Sequence, residues 1–160
     1  MPDVICNTTP FQYIHQLELL HILHALTGGV IVPPAVVDEL AEGRALGVNL
    51  PDLRALDWVS VRRPGSEVAV PLVTNLGRGE TETLMLALES REATVVLDDA
   101  LARRVAEALG LHFTGTLGLL LDAKRAGLIP AVGPLLDQLQ ALRFRVALHT
   151  RAAVLKLAGE

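Results

Sequence analysis

An α/β fold, a parallel sheet covered by helices on both faces, is the architecture this chain predicts, and two observations predict it. Short β-branched runs bounded by Gly, Pro or Asp alternate with longer stretches at helical spacing along the 160 residues. That order is the one strand–helix–strand crossovers require. The chain is also 51% hydrophobic, and a domain of this size buries roughly 68–70% of its unfolded surface. One domain over residues 1–160 is expected, with a core that needs neither disulfides nor a structural metal.

The elements follow in order. Val4-Ile5-Cys6 reads as a first strand, with a helix through Phe11–Leu26 that Gly28-Gly29 ends. Val30-Ile31-Val32 is a second strand, and Pro33-Pro34 opens the next helix, because proline suits the first helical positions. Trp58–Val61 is a third strand, and Arg62–Asn75, with Pro64, Gly65 and Pro71, a loop. A helix from Gly79 to Ser90 precedes strand Thr94–Leu97. Then come a helix over Leu101–Leu109, strand Leu111–Phe113, helices over Leu117–Ala126 and Pro134–Leu142, and a helical tail over Thr150–Leu157. No repeat, low-complexity tract or linker interrupts the series.

Composition narrows the function classes. Only Phe11, Tyr13, Trp58, Phe113 and Phe144 are aromatic, too few for an RNA platform built on stacking. The formal charge is −4, so a nucleic-acid partner requires a local basic patch or a bound cation. The single cysteine, Cys6, excludes a disulfide framework and a thiolate zinc site. The start MPDVICNTTP lacks the basic and long apolar segments of a signal peptide. Pro, Gly or charge breaks every apolar run well short of a membrane span. A cytoplasmic protein with no membrane partner is the expectation.

In parallel sheets ligands sit beyond the C-terminal ends of the strands, and polar residues collect there. On the helix after Gly79, Leu84, Met85, Leu86, Ala87 and Leu88 go all the way round, as in a buried helix. Glu82 falls between Met85 and Leu86 in angle, so its carboxylate enters the interior, where a metal ion or an arginine must compensate it. Glu80 lies 200° away and suits a first-turn acid as well as a ligand. Asp98-Asp99 ends the strand Thr94–Leu97, and one cap and one ligand are expected of the pair. Glu39 and Asp38 flank the apolar stripe of their helix, and Leu46 tips the inward choice toward Glu39. Asn7-Thr8-Thr9 and Thr114-Gly115-Thr116 follow two other strands, where capping and ligand contact explain them equally. Carboxylates without thiolates suit Mg²⁺ or Mn²⁺, ions that serve phosphodiester hydrolysis. Arg103-Arg104 and Lys124-Arg125 are basic pairs able to flank an acidic cleft and hold phosphates. Cys6 reads as a core residue. His15, Glu18, His21 and His24 share three-residue spacing on one helix, a surface stripe with no defined fourth zinc ligand.

These motifs together resemble the PIN-domain superfamily, and in particular a small prokaryotic branch of toxin-like, nucleic-acid-binding members. The resemblance rests on Val4–Pro10, Val32–Leu40, Gly79–Glu82, Leu97–Arg104, Thr114–Gly118 and Ala123–Pro130, whose order covers most of the chain. It implies a three-layer α/β/α sandwich and a Mg²⁺- or Mn²⁺-dependent endoribonuclease like the toxin of a toxin–antitoxin pair. It implies RNA as substrate, a homodimer, and an antitoxin partner. By family position Asn7 stands where the first aspartate usually does. Glu39, Glu82 and Asp99 take the other acidic positions, with Asp98 and Glu80 beside them and Thr8 and Thr116 lining the pocket. The metal ligands implied are Glu39, Glu82, Asp98 and Asp99. Asn7 carries no charge, which weakens the hold on a hard cation. The rival expectation is therefore a non-catalytic module of the same fold that binds RNA or a protein.

Overall fold

The computed structural model describes residues 2–65 and 75–160. Five parallel strands form one sheet: β1 (Val4–Cys6), β2 (Val30–Val32), β3 (Val59–Val61), β4 (Thr94–Val96) and β5 (His112–Thr114), in the order β3-β2-β1-β4-β5. The chain runs from β1 outward through β2 to β3, then crosses back to β4 on the other side of β1. The order therefore reverses between β1 and β4, and a crevice at the C-terminal ends of strands is expected at such a reversal. Register aligns the strand ends there: Cys6 pairs with Val96, Val96 with Thr114, and Val32 with Val61. The residues that follow, Asn7, Pro33, Leu97-Asp98 and Gly115-Thr116, share one edge.

Among the described residues the strands are joined or followed by eight helices. These are α1 (Thr8–Gln16), α2 (Leu20–Thr27), α3 (Pro34–Ala45), α4 (Arg78–Glu89), α5 (Ala100–Ala108), α6 (Thr116–Arg125), α7 (Gly133–Ala141) and α8 (Leu148–Leu157). The sheet separates two cores. Ile5, Ile31, Val95 and Leu97 point toward α4 and α5, packing with Leu84, Leu86, Ala102 and Ala106. Cys6, Val30, Val32 and Val96 point the other way, onto Phe11, Leu23, Leu120, Leu136 and Val154. Strands apolar on both faces are what a sheet covered twice requires, and the three-layer α/β/α architecture is as expected.

Some boundaries differ from the sequence reading. The single helix expected over Phe11–Leu26 is two, α1 and α2. Leu17 caps α1 and Glu18 takes φ 60°. The Leu19 amide then donates to the Ile14 carbonyl at 2.9 Å, and the Glu18 amide to that of His15 at 2.9 Å. This pair of bonds is the left-handed helix ending that glycine usually supplies, and no glycine advertises it here. The strand expected over Trp58–Val61 starts one residue later, at Val59. The one expected over Leu111–Phe113 is shifted by one residue to His112–Thr114. Of the loop 62–75, residues 66–74 lie outside the described residues. The helical tail begins at Leu148, earlier than expected. Val154 is buried beneath it, while Leu148 and Leu157 are exposed.

Candidate functional site

Three helices that begin at the C-terminal edge of the sheet lack an N-cap side chain of their own. Pro33 precedes α3, Gly77 precedes α4 and Gly115 precedes α6, and none offers a side-chain acceptor to the free amides of the first turn. Acids from elsewhere do so instead. Glu82, on α4, accepts the Ala35 amide of α3 at 3.0 Å, and Glu39, on α3, accepts the Gly79 amide of α4 at 2.8 Å. The two helices thus cap each other through crossed carboxylates. Asp98, just beyond β4, accepts the Thr116 amide at 2.8 Å and the Thr116 hydroxyl at 2.6 Å. Each acid sits where the partial positive charge of a helix start favours an anion.

The remaining contacts complete the arrangement. The Thr8 hydroxyl donates to Glu39 Oε2 at 2.5 Å. Arg78 reaches Glu82 Oε2 with Nε at 3.7 Å and Asp38 Oδ2 with Nη2 at 3.3 Å. Two glycines are required by close approach. A Cβ at Gly79 would fall 2.6 Å from Glu39 Oε2, and one at Gly115 would fall 2.7 Å from Asp98 Oδ1. Burial pushes the Asp98 carboxyl above the ordinary aspartate range, while the Thr116 hydrogen bonds and the Arg103 guanidinium work against that rise. Burial first, and the Asp98 charge second, push the Cys6 thiol well above its ordinary value. A thiol so held is a core group, not a nucleophile.

Asn7 behaves differently. It stands at the N-cap position of α1 but makes no capping bond. Its side chain is buried, at 1% exposure, and its Oδ1 has no hydrogen-bond partner. Capping therefore does not account for it. A buried carbonyl oxygen left unpaired is costly, and it lies at the strand reversal, between α1 and the Asp98 turn. Its own amide donates to the Val96 carbonyl at 3.0 Å.

The other candidates spread out. Asp99 caps its own helix, accepting the Ala102 amide at 2.8 Å, so of the adjacent pair Asp98 faces inward and Asp99 outward. The Glu80 carboxylate folds back over Gly77 at the start of α4, an N3 position that favours acids. Arg103 lies beside Asp98 with its Cζ 5.3 Å from the centre of the Phe113 ring, and Arg104 is exposed on the same helix. Lys124 and Arg125 stand at the far end of α6, about 12 Å along its axis from Thr116. Lys124 is paired with Glu160 at 2.9 Å and Arg125 with Asp122 at 3.6 Å. The sequence reading had no role for Arg78 or for Thr83, whose hydroxyl is buried without a partner. The one available signal for Arg78 was its position four residues before an inward Glu82, a spacing that pairs side chains on a helix.

The donors at this edge are all oxygen: Asn7 Oδ1 and the carboxylates of Glu39, Glu82 and Asp98. That set suits a hard divalent cation, and each carboxylate oxygen keeps a lone pair beyond the amide or hydroxyl it already accepts. Among the described residues, no three Asp, Glu, His or Cys side chains are drawn together around one point. The residues fit such an ion in chemistry, while their carboxylates are closed onto protein donors.

Fold and edge define a class: an α/β/α domain whose acids line the C-terminal side of a parallel sheet at its strand reversal. The family model DUF3368, described as a PIN domain, matches residues 3–160. The chain belongs to that family, whose fold is of the nuclease type and whose members generally use divalent metals. No curated protein matches the chain. Among the described residues no helix is long and apolar enough to cross a membrane.

Proposed function

We propose that the protein is a Mg²⁺- or Mn²⁺-dependent endoribonuclease, similar in kind to the toxin of a toxin–antitoxin pair and built as one domain over residues 1–160. The observation that carries this reading is the buried, unpartnered Asn7 Oδ1 at an edge it shares with three carboxylates. A bound divalent ion would make a water acidic enough to lose a proton and so attack a phosphodiester, and would supply charge to stabilise the leaving oxygen. Glu39, Glu82 and Asp98 would hold it, with Asn7 adding a neutral oxygen. Asp99, which caps α5, takes a supporting place beside Asp98. Thr8 and Thr116 orient Glu39 and Asp98 through their hydroxyls. Arg103 and Arg104, on the helix next to Asp98, would meet RNA phosphates, whereas Lys124 and Arg125 would serve only a substrate that reaches round α6.

On the same reading the partners are RNA, a cognate antitoxin in the cytoplasm, and a second copy of the chain, to which α8 offers exposed Leu148 and Leu157. One observation favours the rival reading of a non-catalytic binding module: the site carboxylates are already used as helix caps, and Asn7 brings no charge. Cleavage by the parent chain separates the two, and Glu82→Gln then tests the site. A glutamine still accepts the Ala35 amide, so the fold persists, but the charge is gone. Cleavage of labelled single-stranded RNA in Mn²⁺ should disappear with an unchanged circular dichroism spectrum; a variant as active as the parent would exclude Glu82 from the chemistry.

A further inference from the structure

We infer that Arg78 is a tethered cation that occupies the metal's place on Glu82, so that a divalent ion binds by displacing it. The inference rests on the reading just given. Glu82 is partly buried, with 19% of its side chain exposed, and its Oε2 faces the Arg78 guanidinium at 3.7 Å. The same oxygen accepts the Ala35 amide at 3.0 Å, and Arg78 adds a full positive charge from one turn earlier on the same helix. The other end of the guanidinium lies 3.3 Å from Asp38 Oδ2 on α3. Arg78 thus bridges the two helices whose carboxylates cap each other.

A dication and a guanidinium cannot share one carboxylate without repelling each other. The Arg78 side chain is 64% exposed and Asp38 50% exposed, so the guanidinium is free to leave Glu82 while staying paired with Asp38. Two arrangements follow. With no ion, Arg78 neutralises Glu82 and the edge is closed. With an ion, Arg78 rests on Asp38 at the rim. The competition lowers the apparent metal affinity by the fraction of molecules in which Glu82 is occupied.

The test measures Mn²⁺ binding without substrate, by calorimetry, for the parent chain and for Arg78→Gln, Arg91→Gln and Glu82→Gln. Arg91 stands past the far end of α4 and controls for the loss of one positive charge. Arg78→Gln should bind Mn²⁺ roughly two- to fivefold more tightly, the range expected for an exposed ion pair, with Arg91→Gln close to the parent. In the parent, the Arg78 ¹⁵Nε resonance should move to a solvent-exposed value on Mg²⁺ addition, with the midpoint of binding. If the parent binds Mn²⁺ no better than Glu82→Gln, the metal reading falls and this inference with it. If binding depends on Glu82 but Arg78→Gln binds equally or more weakly, or gains no more than Arg91→Gln, the displacement is overturned and the metal reading stands. An Arg78 resonance that stays put as Mg²⁺ binds overturns it as well.

Discussion

A single side chain, Asn7, separates ligand from cap at the strand reversal, because its oxygen is buried and unpaired where a cap would have been satisfied. Asn7→Asp gives the sharpest consequence. A carboxylate at 1% exposure, at the sheet edge that also carries Asp98, lacks solvation and adds like charge. The metal-free variant should be less stable than the parent by about 1–3 kcal/mol, and Mn²⁺ should restore the loss and more. Thermal unfolding with EDTA and with Mn²⁺ measures both, and a loss that Mn²⁺ leaves untouched would speak against an ion beside residue 7. At this scale the sequence was partly legible. Glu82 could be turned inward because its helix is apolar all round. The residues alone could not tell Asp98 from Asp99, and the resemblance took Asp99 for the acidic position with Asp98 beside it; the difference lies in which amide each meets, Ala102 for Asp99 and Thr116 for Asp98. Position alone left Asn7 equally a cap or a ligand contact, and only geometry shows that it makes no capping bond.

Between elements, the crossed capping of α3 and α4 makes Gly79 a test. Glycine within a helix normally gains about 1 kcal/mol of stability on change to alanine. Here the new methyl would fall 2.6 Å from Glu39 Oε2 and push the carboxylate off the Gly79 amide. Gly79→Ala should therefore destabilise the protein, by about 1 kcal/mol or more. A urea midpoint that rises instead would show the crossed cap to be unimportant. Glu18 is the converse case. It holds φ 60° at the end of α1, a conformation that costs an L-residue about 1–2 kcal/mol. Glu18→Gly should raise the urea midpoint after part of that relief is offset by the freer unfolded chain; a lower midpoint would mean that the Glu18 side chain stabilises the turn. The break between α1 and α2 was hidden in the sequence for this reason, as the signal for a left-handed ending is a glycine and none is there. The strands were legible because β-branched runs between Gly, Pro and Asp leave little choice, with errors of only one residue at their ends.

Over the whole molecule, the alternation of strands and helices was enough to predict the three layers. Strand order, and with it the position of the reversal between β1 and β4, came only from the pairing. The last helix is fastened by Glu160, whose carboxylate accepts the Val132 amide at 2.7 Å, the Gly133 amide at 2.9 Å and the Lys124 ammonium at 2.9 Å. These bonds, the Val132 amide first, lower its carboxyl to about 2. A depressed carboxyl stabilises the fold above the ordinary glutamate range, and that contribution is lost as pH falls from about 4.5 toward 2. Glu160→Gln should flatten this part of the stability–pH curve and lower stability at neutral pH; an unchanged curve would remove the tie. The most direct test of metal-dependent chemistry at the sheet edge is cleavage of labelled single-stranded RNA by the parent chain in Mn²⁺, in EDTA, and by folded Asp98→Asn in Mn²⁺. Cleavage confined to the parent in Mn²⁺ is the expected result. No cleavage by the folded parent in Mn²⁺, or cleavage that persists in EDTA, would contradict it.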